Sequence, residues 1–302
     1  MTEGSAPDHL TTKELAALLR LSERKIYDLA AQGEVPCVRL VGKLLFPRDR
    51  IETWIAAARS GPDLPPPLPA IVAGSHDPLL DWALRESGST LAAYFDGSHD
   101  GLDRLAGRAA LAAGLHIEGK AVDDAAPAGW NVEACAARLS TRPVALVEFA
   151  WRMRGLLVAP GNPHGIDGIA ALAGRRVARR QPSAASASLL ERLLKGAGIA
   201  PHDLAGPASP ARTEADIATM IGEGAADAGL GLASVAAQAG LDFVPLLRER
   251  FDLCLWRSAA FDPPLRRLLD FLRTERFAQR AARMGGYDVS GAGQIVWNSP
   301  AP

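Results

Sequence analysis

The feature that most constrains this chain is the run SGPDLPPPLP at residues 60–69, which holds five prolines. Proline fixes φ and removes a backbone donor, so such a run builds an extended, fairly stiff spacer and no core of its own. It divides the 302 residues into a short unit, 1–59, and a long one, 70–302. Hydrophobic residues make up 48% of the chain and charged residues 22%, which is enough apolar side chain to bury a core and excludes a disordered protein.

The short unit reads as two helices, a hairpin and a third helix. Thr11 stands three residues before Glu14, a capping-box spacing, and Leu15, Leu18 and Leu19 follow at helical intervals. Ser22 suits the cap of a second helix running through Ala31, with Ile26 and Leu29 inward and Gly33 as its stop. Val38 to Phe46 holds two β-prone runs that turn at Gly42-Lys43. From Pro47 a helix continues to about Ala58, with Ile51, Trp54 and Ile55 on one side.

In the long unit β-prone runs alternate with helical ones, which argues for parallel α/β sheets, and their number suits two lobes better than one sheet. The apolar stretch 144–158 reads as two strands broken at Arg152-Met153-Arg154, and 242–246 as one short strand. The first lobe is expected to span 71–154 plus a return from about 253, the second 155–244, with crossovers near Arg152-Met153-Arg154 and Arg248-Glu249-Arg250.

Three helix starts carry serine. Ser75 follows a strand, Gly97-Ser98 repeats the arrangement, and Ser183 and Ser186 precede a helix of the other lobe. Helix N-termini converging on a cleft make an anion site, although serine at these places serves equally as an ordinary cap. His76 and His116 can donate to a ligand or be structural. Ser75-His76-Asp77 is a catalytic triad written in a row, and adjacent residues do not reach relay geometry, so no catalytic set is assigned. Cys37, Cys135 and Cys254 show no metal or disulfide spacing and read as reduced thiols. No metal or cofactor is expected. The net charge is −1, so nucleic-acid affinity must come from a local basic face. With no signal-peptide pattern and no apolar run long enough for a bilayer, a cytoplasmic chain is expected.

The stretch LTTKELAALLRLSERKIYDLAAQGEVPCVRLVGKLLFPRDRIETWI, Leu10 to Ile55, resembles the excisionase- and MerR-like winged helix-turn-helix family. The resemblance implies double-stranded DNA as partner, with the second helix in the major groove and the hairpin as wing. It places Ser22, Arg24, Lys25 and Tyr27 at the start of the reading helix and Arg39 and Lys43 on the wing. Between Leu10 and Arg59 nine Lys/Arg face six Asp/Glu, a modest basic excess. The long unit resembles type II periplasmic-binding-protein-like sensor domains, molybdate receptors among them. The resemblance rests on Gly74-Ser75-His76-Asp77, Phe95-Asp96-Gly97-Ser98, Ala113-Gly114-Leu115-His116, 155–163, Arg180-Gln181, 226–231 and Gly285-Gly286-Tyr287-Asp288. It implies a ligand between two α/β lobes, contacted by Ser75, His76, Gly97, Ser98, His116, Arg180, Gln181, Ser183, Ser186, Asp227 and Gly229. Where this resemblance leads one to expect a Gly-Ser-Gly-Thr-Arg type loop, the chain has Pro182 to Ser188, rich in serine. The missing arginine weakens a carboxylate clamp, for which Arg179 or Arg180 could substitute, and the serine-rich loop fits a small tetrahedral oxyanion modestly better.

The fold expected is therefore a small, mainly α winged helix-turn-helix domain followed by an α/β two-lobed domain of the type II periplasmic-binding-protein-like class. The function expected is a non-enzymatic, ligand-responsive bacterial transcriptional regulator, homodimeric, sensing molybdate or tungstate. The alternatives are a regulator sensing an organic metabolite and an architectural DNA binder with a non-sensing second unit.

Overall fold

The computed structural model describes residues 8–58, 66–119 and 129–301. The chain divides into two compact units, 1–66 and 67–302. The proline run at 60–69 overlaps that division, with residues 59–65 outside the described part.

In the first unit strand β1 (His9–Thr11) leads into α1 (Thr12–Leu19), then α2 (Glu23–Gln32), β2 (Val38–Leu40), β3 (Lys43–Pro47) and α3 (Arg48–Ala57). The capping box is formed: Thr11 accepts from Glu14 N, and the Glu14 carboxylate accepts from Thr11 N at 2.8 Å. Arg20, at φ 54, closes α1, and Leu21 N returns to Ala16 O. Ser22 accepts from Lys25 N and starts α2, which Gly33 ends at φ 73. Leu15, Ile26, Phe46 and Ile51 are fully buried and join the helices to the sheet β1-β3-β2. Burying each stabilises this small unit by about 1.5–3 kcal/mol. The hairpin pairs Leu40 with Lys43, so its turn is Val41-Gly42, one residue earlier than the sequence suggested. Both turn residues have positive φ, as a two-residue hairpin loop of this hand requires.

The second unit continues with β4 (Ile71–Gly74), α4 (Pro78–Glu86), β5 (Ala92–Phe95), α5 (Ser98–Ala106), β6 (Ala112–Leu115), α6 (Val132–Leu139) and β7 (Val144–Val158). There follow β8 (Val177–Ala178), α7 (Ala185–Gly196), α8 (Glu214–Gly222), β9 (Ala228–Leu232), α9 (Ala233–Ala239) and β10 (Asp242–Trp256). The chain closes with α10 (Pro263–Phe271), α11 (Glu275–Met284), β11 (Tyr287–Asp288) and β12 (Ile295–Asn298). The main sheet runs β5-β4-β6-β10-β7-β9-β8, with β11 and β12 added to β7.

Two features depart from the sequence reading. The stretch 144–158 is one strand of 15 residues, not two, and 242–246 is the start of a second strand of the same length. They pair antiparallel from Val144↔Trp256 to Val158↔Asp242, so the sheet is mixed and passes unbroken through both lobes. Arg152 and Arg154 read as a break because charge usually marks a loop. Here Glu249 lies opposite Arg152 and neutralises it within the ladder. Register irregularities at Pro245/Leu247 and Phe251/Asp252 flank this middle segment. One apolar cluster, with Leu79, Leu115, Phe149, Phe251 and Phe277, fills the first lobe. Two smaller clusters cover the two faces of the second lobe's strands.

Candidate functional site

The cleft between the lobes is built first by close backbone approach. Gly74, at φ 99, ends β4 so near Gly114 that a Cβ would come within 2.3 Å of Gly114 O. This places Ser75 beside the start of α5. Ser75 Oγ and Ser98 Oγ lie 2.9 Å apart, both residues buried, and Ser98 Oγ accepts from His116 N at 3.2 Å. Gly97, at φ 102, faces the other lobe, where its Cβ would meet Ser183 O at 2.8 Å. Two ion pairs also join the lobes, Arg192 to Glu118 at 2.6 Å and Arg212 to Asp96 at 3.6 Å.

The helix starts at this meeting point are unequal. Asp77 caps α4 by accepting from Leu80 N at 2.8 Å. The N-caps of α5 and α7, Gly97 and Ala184, offer no side-chain acceptor. Ser98 at the start of α5 and Ala185 and Ser186 at the start of α7 are nevertheless buried, while His99 and Ser188 are exposed. Buried first-turn N–H groups require a partner, which side chains do not supply at these two ends. A cavity of about 180 Å³ lies between the same two helices, bounded by His99 and His116 on one side and Ala185 and Ser188 on the other.

Beneath the serines, a polar network crosses the middle of the long strands. His116 Nδ1 faces Glu249 Oε2 at 3.3 Å. Glu249 Oε1 meets both Arg152 and Arg154, and Arg154 reaches Glu214 Oε1 at 2.7 Å. Arg152 also donates to Asp77 at 2.7 Å, and Tyr287 OH donates to the same carboxylate at 2.9 Å. Each of these charges is almost wholly buried. Burial alone would raise the Glu249 carboxyl, but the guanidiniums of Arg152 and Arg154 hold it well below the usual range. Glu214 is lowered in the same way, against burial, mainly by Arg154. Burial lowers His116, outweighing the pull of Glu249. The Nε and Nη1 of Arg154 find no hydrogen-bond partner among the described residues.

The predicted ligand residues thus divide. Ser75, Ser98 and His116 are joined by hydrogen bonds, Gly97 meets Ser183 across the lobes, and Ser186 lies buried in the first turn of α7. His76 turns aside, its ring on the edge of Phe95, into a groove beside α4. Gln181 is buried, and Arg180 is tied to the backbone oxygens of Ala211 and Arg212 at 3.2 and 2.7 Å. Two lie elsewhere. Asp227 is bound by Arg176 and by His164 at the far end of β9, and Gly229 lies inside the second lobe against Ile217. Both were drawn from the resemblance alone, and the ion pair and the packing contact use up their surfaces. Sequence reasoning missed Asp77, Glu214 and Tyr287 as members of the network and took Arg152 and Glu249 only as crossover residues. The signal present was charge inside two otherwise apolar 15-residue runs. Among the described residues no cluster of three or more His, Cys, Asp or Glu is placed to hold a metal ion.

In the first unit Ser22, Arg24, Lys25, Tyr27, Arg39 and Lys43 are all exposed. Tyr27, Arg39 and Lys43, with Lys13, border one concavity between α2 and the hairpin, which also contains Glu23 and Asp28. Arg24 and Lys25 lie outside it, and the Ser22 hydroxyl is engaged with Lys25 N at 3.3 Å.

Residues 82–273, more than half of the chain, match the PBP superfamily domain, and the chain belongs to that family. Residues 10–59 match a helix-turn-helix domain. The fold is thus a short helix-turn-helix region followed by an α/β periplasmic-binding-protein-like domain, and the pairing fits a ligand-responsive regulator. A Bacillus subtilis (strain 168) relative, the uncharacterized protein YvgK, is 24% identical over 95% of this chain and 97% of its own. A Clostridium pasteurianum protein from the 5′ region of a 2Fe-2S ferredoxin gene is 28% identical over 36% of this chain and 96% of its own. Among solved structures, an OxyR C206 mutant of Corynebacterium glutamicum has TM-score 0.53 and 13% identity, covering 91% of this chain and 90% of that one. A phosphate transporter substrate-binding protein of Clostridium perfringens with bound phosphate has TM-score 0.52 and 11% identity, covering 71% and 96%. Among the described residues no helix is long and apolar enough to cross a membrane.

Proposed function

We propose that the chain is a cytoplasmic, homodimeric transcriptional regulator that binds double-stranded DNA and senses a small oxyanion, molybdate or tungstate, without transforming it. The first unit reads DNA in the manner of the excisionase- and MerR-like winged helix-turn-helix, with α2 in the major groove and β2–β3 as the wing. The second unit holds the oxyanion between its lobes.

One observation carries the ligand assignment: the buried starts of α5 and α7, neither capped by a side chain, meet from opposite lobes beside the Ser75–Ser98 pair. N–H groups at helix starts stabilise negative charge without a countercharge, and serine hydroxyls complete a shell for a tetrahedral oxyanion. An anion held by both starts favours the closed lobes, because only there are all its partners assembled.

Isothermal titration of the full chain with molybdate, tungstate, sulfate and phosphate tests the reading. Saturable heat for molybdate or tungstate is expected, weakened at least about tenfold in the Ser75→Ala, Ser98→Ala double variant. Heat that the double variant leaves unchanged would remove the serine site. No heat from any of the four would remove the oxyanion and direct the search to organic metabolites.

A further inference from the structure

A second cavity of about 650 Å³ lies on the other side of the hinge network and is walled by both lobes: α4 and α11 on one side, α8 and α9 on the other. Its volume is that of a site for a small organic molecule. Trp82, Val235 and Met284 give it an apolar wall.

The cations around Trp82 differ in one respect. Arg276, 5.9 Å from the ring, is paired with Glu86. Arg280, 5.6 Å from the ring and also lining the cavity, has no ion pair among the described residues, and its Nε is buried without a hydrogen-bond partner. The Arg280 guanidinium thus lines the cavity without a carboxylate partner among the described residues, and a carboxylate is the group its geometry matches. Two of the acids in the lining are already engaged: Asp81 with Arg85 at 2.7 Å, and Glu214 with Arg154 at 2.7 Å. Glu223, at the C-terminal end of α8, also lines the cavity and disfavours a second negative charge.

We propose that this groove is a second binding site, for an organic monocarboxylate with a flat apolar body. The carboxylate pairs with Arg280 and the body lies along Trp82 and Met284. Because Val235, on α9 of the second lobe, shares the apolar wall with Trp82 and Met284, such an acid bridges the lobes and acts on the same closure as the ligand at Ser75 and Ser98. The site uses neither serine and stands apart from the oxyanion assignment.

The test is titration of the full chain with phenylacetate and indole-3-acetate, each against its neutral amide, followed by heat and by tryptophan fluorescence. The acids are expected to bind saturably and the amides at least about tenfold more weakly. Arg280→Gln should lower acid affinity by a similar factor. Thr219→Trp, an exposed α8 residue of the lining, should block binding while leaving Arg280 in place. Acid binding should persist in the Ser75→Ala, Ser98→Ala variant, so that loss of the oxyanion reading does not touch this one. No saturable binding of either acid, equal binding of acid and amide, or unchanged affinity in both Arg280→Gln and Thr219→Trp overturns the proposal.

Discussion

Asp252 shows how one residue of this fold can carry a measurable pH dependence. It sits in β10 and is fully buried. Its Oδ2 accepts from Asn131 Nδ2 at 2.7 Å and from Arg250 Nε at 3.0 Å, while Oδ1 has no partner among the described residues. Burial raises the carboxyl to about 7, against the opposing pull of Arg250 and Asn131, with Glu148 adding to the rise. In the unfolded chain the same group titrates at about 3.9. The folded value is the higher one, so the protonated acid is favoured by folding. The stability it contributes is complete below about pH 4 and is lost as pH rises through 7. Urea unfolding of the wild type should therefore show a decline between pH 5 and pH 8, and Asp252→Asn should flatten it. The variant should gain roughly 1–3 kcal/mol relative to wild type between those two pH values. A parallel pH profile for the two proteins would show that Asp252 is ionised in the fold. Asn131 also accepts from Ile117 N at 2.6 Å, so this carboxyl anchors the segment that supplies Glu118 and Trp130 to the cavity between α5 and α7.

At the scale of elements, local chemistry was legible and long-range chemistry was not. The capping box of Thr11 and Glu14, the Ser22 cap and the Gly33 stop lie within four residues of what they bond, so spacing alone revealed them. Asp77 caps α4 two residues beyond Ser75, and Ser98 opens α5, although spacing put both serines at helix starts because each follows a strand. That their hydroxyls meet depends on the close approach of Gly74 to Gly114, which no spacing encodes. The hinge network was hidden for the same reason: Arg152 and Glu249 are 97 residues apart, and Tyr287 and Asp77 are 210 apart. The proposed DNA-reading surface lies between these extremes. The resemblance placed Arg39 and Lys43 on the wing, and both line the concavity that Tyr27 borders. If they contact phosphates, the Arg39→Ala, Lys43→Ala double variant should weaken binding of operator and random DNA alike. Its slope of log K against log salt should fall by about 2. A shift assay at several salt concentrations measures this. An unchanged slope would remove the wing from the interface and leave Arg24 and Lys25 of α2 as the contact.

For the whole molecule, the two binding activities proposed for one chain matter only if they are coupled, and coupling between sites is reciprocal. If molybdate changes the affinity for DNA by some factor, DNA must change the affinity for molybdate by the same factor. The second unit has the parts of a two-state element: one sheet through both lobes, register irregularities on either side of its middle, and cross-lobe contacts at Gly97–Ser183, Arg192–Glu118 and Arg212–Asp96. The exposed ion pairs contribute little each, so in the proposed reading the bias toward closure rests chiefly on the ligand. A coupling of about 1–3 kcal/mol is typical of such systems, which is a 5- to 150-fold change in affinity. A single module of 50 residues contacts too little DNA for high specificity, so the DNA-bound form should be a dimer on two half-sites. Sedimentation of the full chain with operator DNA, with and without molybdate, measures stoichiometry and affinity together. Two chains per operator and equal coupling factors in both directions are the expected result. One chain per operator would remove the dimer. Identical DNA affinity with and without saturating molybdate would separate the two activities and reduce the second unit to a binder that does not signal through the first.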